Sequence, residues 1–454
     1  MTGKTQKRII MPDNLSKTLL WKMYRTMCTI RHLEVEGEPG GPEGEKINKL
    51  KLIPMDFLNV RSLALASLLS VGGWGLFAQT DDSGWTHIEV DSQKTKWGDY
   101  DEPEWLRYFG LDMGDLNGDR NLDIVTGRWA YLNPGEGMTG PWKKVDLGSN
   151  VDGILVMEVD GDAYADVIAQ ALPGVYWLEA ANREGTQWKS MKIGEIPATS
   201  HVNSQGFEKA QIIQGGKEEF VIAGDGNIYC FEIPGKPDSE EWEVTLVAAN
   251  TSDEGIGTGD IDGDGDTDIA AGRRPEEGSE PLIIVWYENP GDGTGNWMDR
   301  EIGQTNHPAD RIEVADLNGD GKADIVVAEE RYPGLEPDGN LFWYEQPEDP
   351  DAEWTRHRVV TQYSMNNLDV TDMDKDGDMD LITCEHKGPR LELQLWLNNG
   401  KGTFTKYLID SGKESHLGTQ VSDMDGDGDP DIISIGWDYY RYVHLWKNDT
   451  KTND

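Results

Sequence analysis

A nine-residue pattern of acids recurs along this 454-residue chain and confines what it can fold into. The pattern is D-x-D/N-x-D-x-x-x-D. It reads DLNGDRNLD from Asp115, DIDGDGDTD from Asp260, DLNGDGKAD from Asp316, DMDKDGDMD from Asp372 and DMDGDGDPD from Asp423. A weaker copy, EVDGDAYAD, starts at Glu158. The interval from Glu158 to Asp260 is about twice the others, so a hidden unit is expected between them. The segment QIIQGGKEEFVIAG fits it, with Gln211 in first place and Glu219 in ninth. A second column supports the register. Five residues before the starts stand Gly110, Gly153, Gly206, Gly255 and Gly418, and only Arg311 and Asn367 break the column. Gly206 belongs to the hidden unit.

Each acidic turn leads into an apolar β-type run such as DIVVAE or DIISIG. An aromatic strand follows (IIVWYENP, NLFWYEQP), then a strand opening with Trp142, Trp188, Trp242, Trp297, Trp354 or Phe404. Four short strands per about 50 residues make a propeller blade. The last unit lacks its aromatic-led strand, and Trp85–Val90 offers one ahead of the first unit. The expectation is an all-β seven-bladed β-propeller with calcium loops, its ring closed by the N-terminal strand, which removes open sheet edges.

Alternate residues of a tight turn point their oxygens inward, and glycines at positions four or six permit positive φ. Several hard oxygens suit Ca²⁺ rather than zinc or copper. The turns resemble the start of an EF-hand loop, but they lack its twelfth-position Glu and run into a strand. Expected ligand sets are Asp115, Asn117, Asp119 and Asp123; Asp260, Asp262, Asp264 and Asp268; Asp316, Asn318, Asp320 and Asp324; Asp372, Asp374, Asp376 and Asp380; and Asp423, Asp425, Asp427 and Asp431. Glu158, Asp160, Asp162 and Asp166 form a sixth, weaker set. The cofactor expectation is therefore five to six structural Ca²⁺ ions.

These units resemble FG-GAP repeats of the VCBS type, the blades also found in integrin α-subunit propellers. The resemblance spans about residues 85–448 and rests on the acidic turns and the D-I/V/L-I/V/L strands after them. A literal Phe-Gly occurs at Phe109-Gly110. The resemblance implies fold and metal rather than activity. Such repeats occur in secreted bacterial proteins, adhesion modules and some polysaccharide lyases and dehydratases.

The chain carries a formal charge of -43. Residues 1–54 are basic, at net +4, so the remainder carries -47. So acidic a surface disfavours nucleic acid and anionic membranes. Ser62 to Ala78 form the apolar run SLALASLLSVGGWGLFA, preceded by Arg61 and followed by a polar stretch. This is signal-peptide composition and is short for a membrane span. Residues 55–78 are therefore expected to be a signal peptide, with Met55 the true start. Residues 1–54 then form a spurious or disordered N-terminal extension, and residues 79–454 the propeller. The mature chain has no membrane span and is secreted, periplasmic or held at the cell surface. Three cysteines give no disulfide framework, and Cys230 and Cys384 read as buried free thiols.

Residues that vary between repeats mark where a ligand would bind. One column lies before the innermost strands: Arg107, Tyr108, His201, His307, Arg311, Asn366, Asn367 and His416. The other lies 13 to 15 residues after each turn's start: Arg128, Trp129, Arg273, Arg274, Glu330, Arg331, His386, Lys387, Trp437 and Asp438. Basic and aromatic residues on an acidic chain suggest a focused anion site. The partner expected is a glycan or an extracellular protein, bound without catalysis. The alternative is a polysaccharide lyase that eliminates at a uronate. His307, His386 or His416 would be its base, with Arg311 or Arg331 neutralising the carboxylate.

Overall fold

The computed structural model describes residues 79–80, 84–95, 109–148, 151–199, 202–273, 282–291, 293, 297–331, 334–413, 418–436 and 440–450. The expected extension and signal peptide lie outside these residues, as do Arg107, Tyr108, His201, Arg274, His416, Trp437 and Asp438. Among the described residues no helix is long and apolar enough to cross a membrane.

The strands form seven antiparallel sheets. Blade 1 begins with the inner strand Asp112–Gly114, blade 2 with Asp152–Met157 and blade 3 with Phe207–Ala210. Blades 4 to 7 begin with Thr251–Gly259, Ala309–Ala315, Asp369–Thr371 and Gly418–Ser422. Within blades 1 to 6 each strand pairs with the next in sequence. In blade 7 the outer strand is Trp85–Asp91, which pairs with Val443–Asn448. The ring therefore closes as the repeat count requires. The short strand Gln79–Thr80 adds to its outer edge.

Second strands such as Asp324–Glu329 and Asp431–Ile435 are buried on both faces. Alternation explains why: successive side chains of one strand face opposite neighbours. Ile269 and Ala271 pack toward blade 3, while Ala270 packs toward blade 5. Seven apolar clusters result, one at each junction between adjacent blades. The cluster of Leu111, Ile124 and Trp142 with Ile433, Ile435 and Leu445 joins blade 1 to blade 7.

The glycine column marks where inner strands approach most closely. A Cβ on Gly110 would lie 1.9 Å from the Gly153 carbonyl oxygen of the next blade. On Gly255 it would lie 2.7 Å from the Cα of Arg311. The hidden unit is blade 3, and its Gly206 abuts Glu254 in the same way, at 2.1 Å. Cys230 and Cys384 are buried free thiols.

Candidate metal loops and channel-mouth site

Each acidic turn joins the inner strand to the second strand, so the turns share one end of the ring. Their geometry divides the labour among positions. The first-position carboxylate folds the turn: Asp316 accepts from Gly319 N and Gly321 N, both at 2.8 Å. Asp423 does the same for Gly426 and Gly428, at 2.8 and 2.9 Å. The sixth residue needs a positive φ, met by Gly265, Gly321, Gly377 and Gly428, with Arg120 there in blade 1.

The ninth-position carboxylate is buried and binds two strands at once. Asp268 accepts from Ile261 N at 3.0 Å and from Asn289 N at 2.8 Å. Asp123, Asp324, Asp380 and Asp431 repeat the arrangement. Burial, with neighbouring acids, pushes Asp123, Asp166, Asp268 and Asp431 up to about 7. It pushes Asp324 and Asp380 up to about 6.

Positions one, three and nine converge. Carboxylate oxygens lie within 4.8 Å of one another in Glu158, Asp160 and Asp166; Asp260, Asp262 and Asp268; Asp372, Asp374 and Asp380; and Asp423, Asp425 and Asp431. The weaker set at Glu158 thus converges as the sets at Asp260, Asp372 and Asp423 do, although among the described residues its Asp166 accepts only from Ala180 N, at 3.3 Å. In blades 1 and 5 the third position is an amide, Asn117 or Asn318. The fifth-position acids Asp162, Asp264, Asp376 and Asp427 stand outside these sets. They accept from the backbone N–H two residues on, as do Asp119 and Asp320 and as third-position Asp160, Asp262 and Asp425 also do. The donors fit a hard divalent cation: they are all oxygens, crowded as like charges unless a cation lies between them.

Sequence reasoning passed over an amide that follows the third strand. Asn289 Nδ2 donates to Ile212 O of the preceding blade's turn at 2.8 Å, and to Thr267 O of its own at 3.0 Å. Asn133 and Asn398 do likewise, and Gln346 reaches Ile261 O and Ala323 O. The N and Q of YLNP, YENP, YEQP and WLNNG are its signal.

At the opposite end, the two candidate columns meet across blades 4 to 6. An irregularity in pairing between Ala309 and Arg311 leaves Asp310 without a ladder partner, as a bulge does. Its carboxylate is fully buried. Arg311 Nη1 donates to Asp310 O at 2.7 Å and lies 3.2 Å from its carboxylate. Asn366 Nδ2 donates to the other oxygen at 3.2 Å. Glu254, Asp310 and Glu330 bring carboxylate oxygens within 4.8 Å of one another. Burial and the acids alongside hold Glu254 well above its ordinary range. Burial also pushes Asp310 up to about 7, against the pull of Arg311. His386 is buried, with Nε2 3.9 Å from Glu330. Arg331 Nε bonds to Asp338 at 3.0 Å, and His307 Nε2 lies 4.0 Å from the same oxygen. Lys387 is half-buried beside them, with φ 60°.

The structure therefore gathers His307, Arg311, Glu330, Arg331 and His386, and adds Glu254 and Asp310. Asn366 joins it through its bond to Asp310, and Lys387 follows His386 in the chain. Asn367, Arg128, Trp129 and Arg273 do not join it: Asn367 bonds to Thr419. Arg128 pairs with Asp146 at 2.6 Å and lies over Trp129 within blade 1. Arg273 pairs with Asp299 within blade 4. Deeper in the ring, Glu208, Glu313 and Asp369 on the inner strands of three blades influence one another. Enclosure, then neighbouring acids, pushes Glu208 up to about 8 and Glu313 well above its usual range.

A family model described as an FG-GAP-like repeat matches residues 216–271, 276–327 and 372–434. The chain carries FG-GAP-like repeats. The first matched segment begins in the turn of blade 3, the second begins after the second strand of blade 4, and the third spans the turns of blades 6 and 7. No curated protein matches the sequence. Among solved structures, the FG-GAP-like ring is similar to an Agrocybe aegerita lectin whose structure describes recognition of non-reducing terminal N-acetylglucosamine. That likeness is 14% identical with a TM-score of 0.45, covering 75% of this chain and 85% of that one. It is also similar to part of a Photorhabdus luminescens Tc holotoxin pore, at 13% identity and a TM-score of 0.36, covering 80% of this chain and 20% of that one.

Proposed function

We propose that this protein is a secreted, calcium-braced binding propeller that seats a hydroxyl-rich ligand, a glycan, at the end of the channel opposite the acidic turns. The turns supply a rigid frame. Calcium supplies the positive charge that lets the clustered carboxylates at positions one, three and nine lie together. The observation that carries the ligand reading is the meeting of Glu254, Asp310 and Glu330 from two neighbouring blades. Carboxylates accept paired hydroxyl donors, and the largely buried but still accessible Glu254 and Glu330 can reach a ligand that fully buried Asp310 cannot.

The geometry favours binding over elimination at a uronate. A lyase needs an arginine turned toward the substrate's carboxylate. Among the described candidates, Arg128, Arg273, Arg311 and Arg331 each pair with an aspartate of this chain. The surroundings select hydroxyls rather than a further acid.

The test is a glycan array probed with the calcium-loaded protein, followed by titration of the best hit against Glu330→Gln. Binding that weakens about tenfold or more, with an unchanged melting temperature, supports the reading. Cleavage of an acidic polysaccharide, or glycan binding indifferent to Glu330 and Glu254, overturns it.

A further inference from the structure

The turns of blades 6 and 7 carry the same five acids, at positions one, three, five, seven and nine. Both bring positions one, three and nine together. They differ in what faces them. Lys447, on the third strand of blade 7, places Nζ 2.6 Å from Asp425 and 3.4 Å from Asp427. Its third partner is Asp449, at 3.1 Å. The Asp425 side chain is 5% exposed and that of Lys447 19%, so the ammonium closes over the third-position carboxylate. A second ammonium arrives from next door. Lys375, at position four of the blade 6 turn, reaches Asp429 at 3.0 Å and the Gly428 carbonyl. Blade 6 thereby exports its lysine to blade 7.

The place of Lys447 in the repeat is fixed by the amide that follows the third strand. Lys447 precedes Asn448 as Leu397 precedes Asn398 and Leu132 precedes Asn133. The N–H of each amide residue is held by its ninth-position aspartate, Asp431, Asp380 or Asp123. Blades 1 and 6 thus put leucine where blade 7 puts an ammonium.

We propose that the blade 7 turn is neutralised from within, Lys447 claiming the third-position carboxylate that blade 6 leaves to a divalent ion, an inference that rests on the calcium reading of the turns. A calcium ion needs oxygens at about 2.3–2.6 Å. It would contest Asp425, one of the three converging carboxylates, with a positive charge already bonded to it. At such separations two cations repel strongly unless one withdraws. Binding at blade 7 therefore requires Lys447 to be expelled, and binding at blade 6 does not.

The experiment counts tightly bound calcium per chain by equilibrium dialysis, for wild type, Lys447→Leu, Lys447→Met, Leu397→Lys and Asp374→Asn. Lys447→Leu installs the residue that blades 1 and 6 already carry, and Lys447→Met keeps the apolar stem if leucine packs badly. The expected result is one ion more, or one weak ion tightened at least tenfold, in both Lys447 variants. One ion fewer is expected in Leu397→Lys and in Asp374→Asn. If Asp374→Asn loses an ion while the Lys447 variants match wild type, the self-neutralised turn is wrong and the calcium reading stands. If no variant or wild type holds calcium, both fall together.

Discussion

Blades 3 and 4 stand side by side on one plan, yet their turns keep their shape by different means. In blade 4 the turn is drawn around Asp260, Asp262 and Asp268, whose carboxylates face one another. In blade 3 the first position is Gln211, whose Nε2 donates to Ile213 O at 2.6 Å and lies 3.4 Å from Glu219. An amide N–H occupies the place where blade 4 gathers charge. What the two share is the ninth position. Glu219 accepts from Ile212 N at 2.9 Å, as Asp268 accepts from Ile261 N at 3.0 Å. The two blades thus share the scaffold bond made by the ninth position and differ in the carboxylate cluster, to which the proposed metal function belongs.

Removing calcium should expose that difference most strongly. Each ion held at a hundred times its dissociation constant contributes about 2.7 kcal/mol. Chelation with EGTA should therefore lower the melting temperature by roughly 10 °C or more. Protection from proteolysis should be lost at the acidic turns and kept at residues 211–219. A melt unmoved by EGTA would erase the distinction between the two blades.

Single substitutions sharpen it. Asp268→Ala removes two backbone hydrogen bonds and a ligand, and should cost about 3–5 kcal/mol in calcium. Much of that cost should vanish in EGTA. Glu219→Ala removes only hydrogen bonds, and should cost about 1–3 kcal/mol whether or not calcium is present. Denaturant melts of both variants in both buffers measure the four values. Equal calcium dependence in the two variants would break the comparison.

The smallest effect concerns acids that belong to neither kind of turn. Glu208, on the inner strand of blade 3, has its carboxyl pushed up to about 8 by enclosure and then by Asp112. A raised carboxyl holds its proton longer in the folded state than in the unfolded one. Its contribution therefore turns against folding as pH rises above the unfolded value of about 4.5, and keeps worsening until the folded value is passed. Glu208→Gln should melt roughly 2–4 °C above wild type at about pH 8, and level with it near pH 4. The offset should be the same in calcium and in EGTA, since no acidic turn includes Glu208.

The ring was legible because repetition exposes it. Asp316 and Asp372 stand at the same place in successive units, Gly206 betrays a blade without acids, and Trp85 supplies the strand that the last blade lacks. The convergence of positions one, three and nine follows from the spacing, whereas the backbone bonds that shape the turn, such as Asp266 N to Asp264 and Asp264 N to Asp262, do not show in it. The channel-mouth cluster was half legible. Arg311 and Glu330 stood out by interrupting the repeat. Asp310 acquires its place from an irregularity in strand pairing, and Glu254 from a neighbouring blade. Neither cause leaves a trace in linear spacing. Lys447 was hidden for a similar reason, because the bond that matters joins the third strand to a turn more than twenty residues earlier.

The account depends on which turns hold ions, and anomalous scattering from crystals grown in calcium reads that directly. It predicts strong peaks among Asp260, Asp262 and Asp268 and among Asp372, Asp374 and Asp380, and none at Gln211–Glu219. Acidic turns without peaks, or a peak in blade 3, would contradict it.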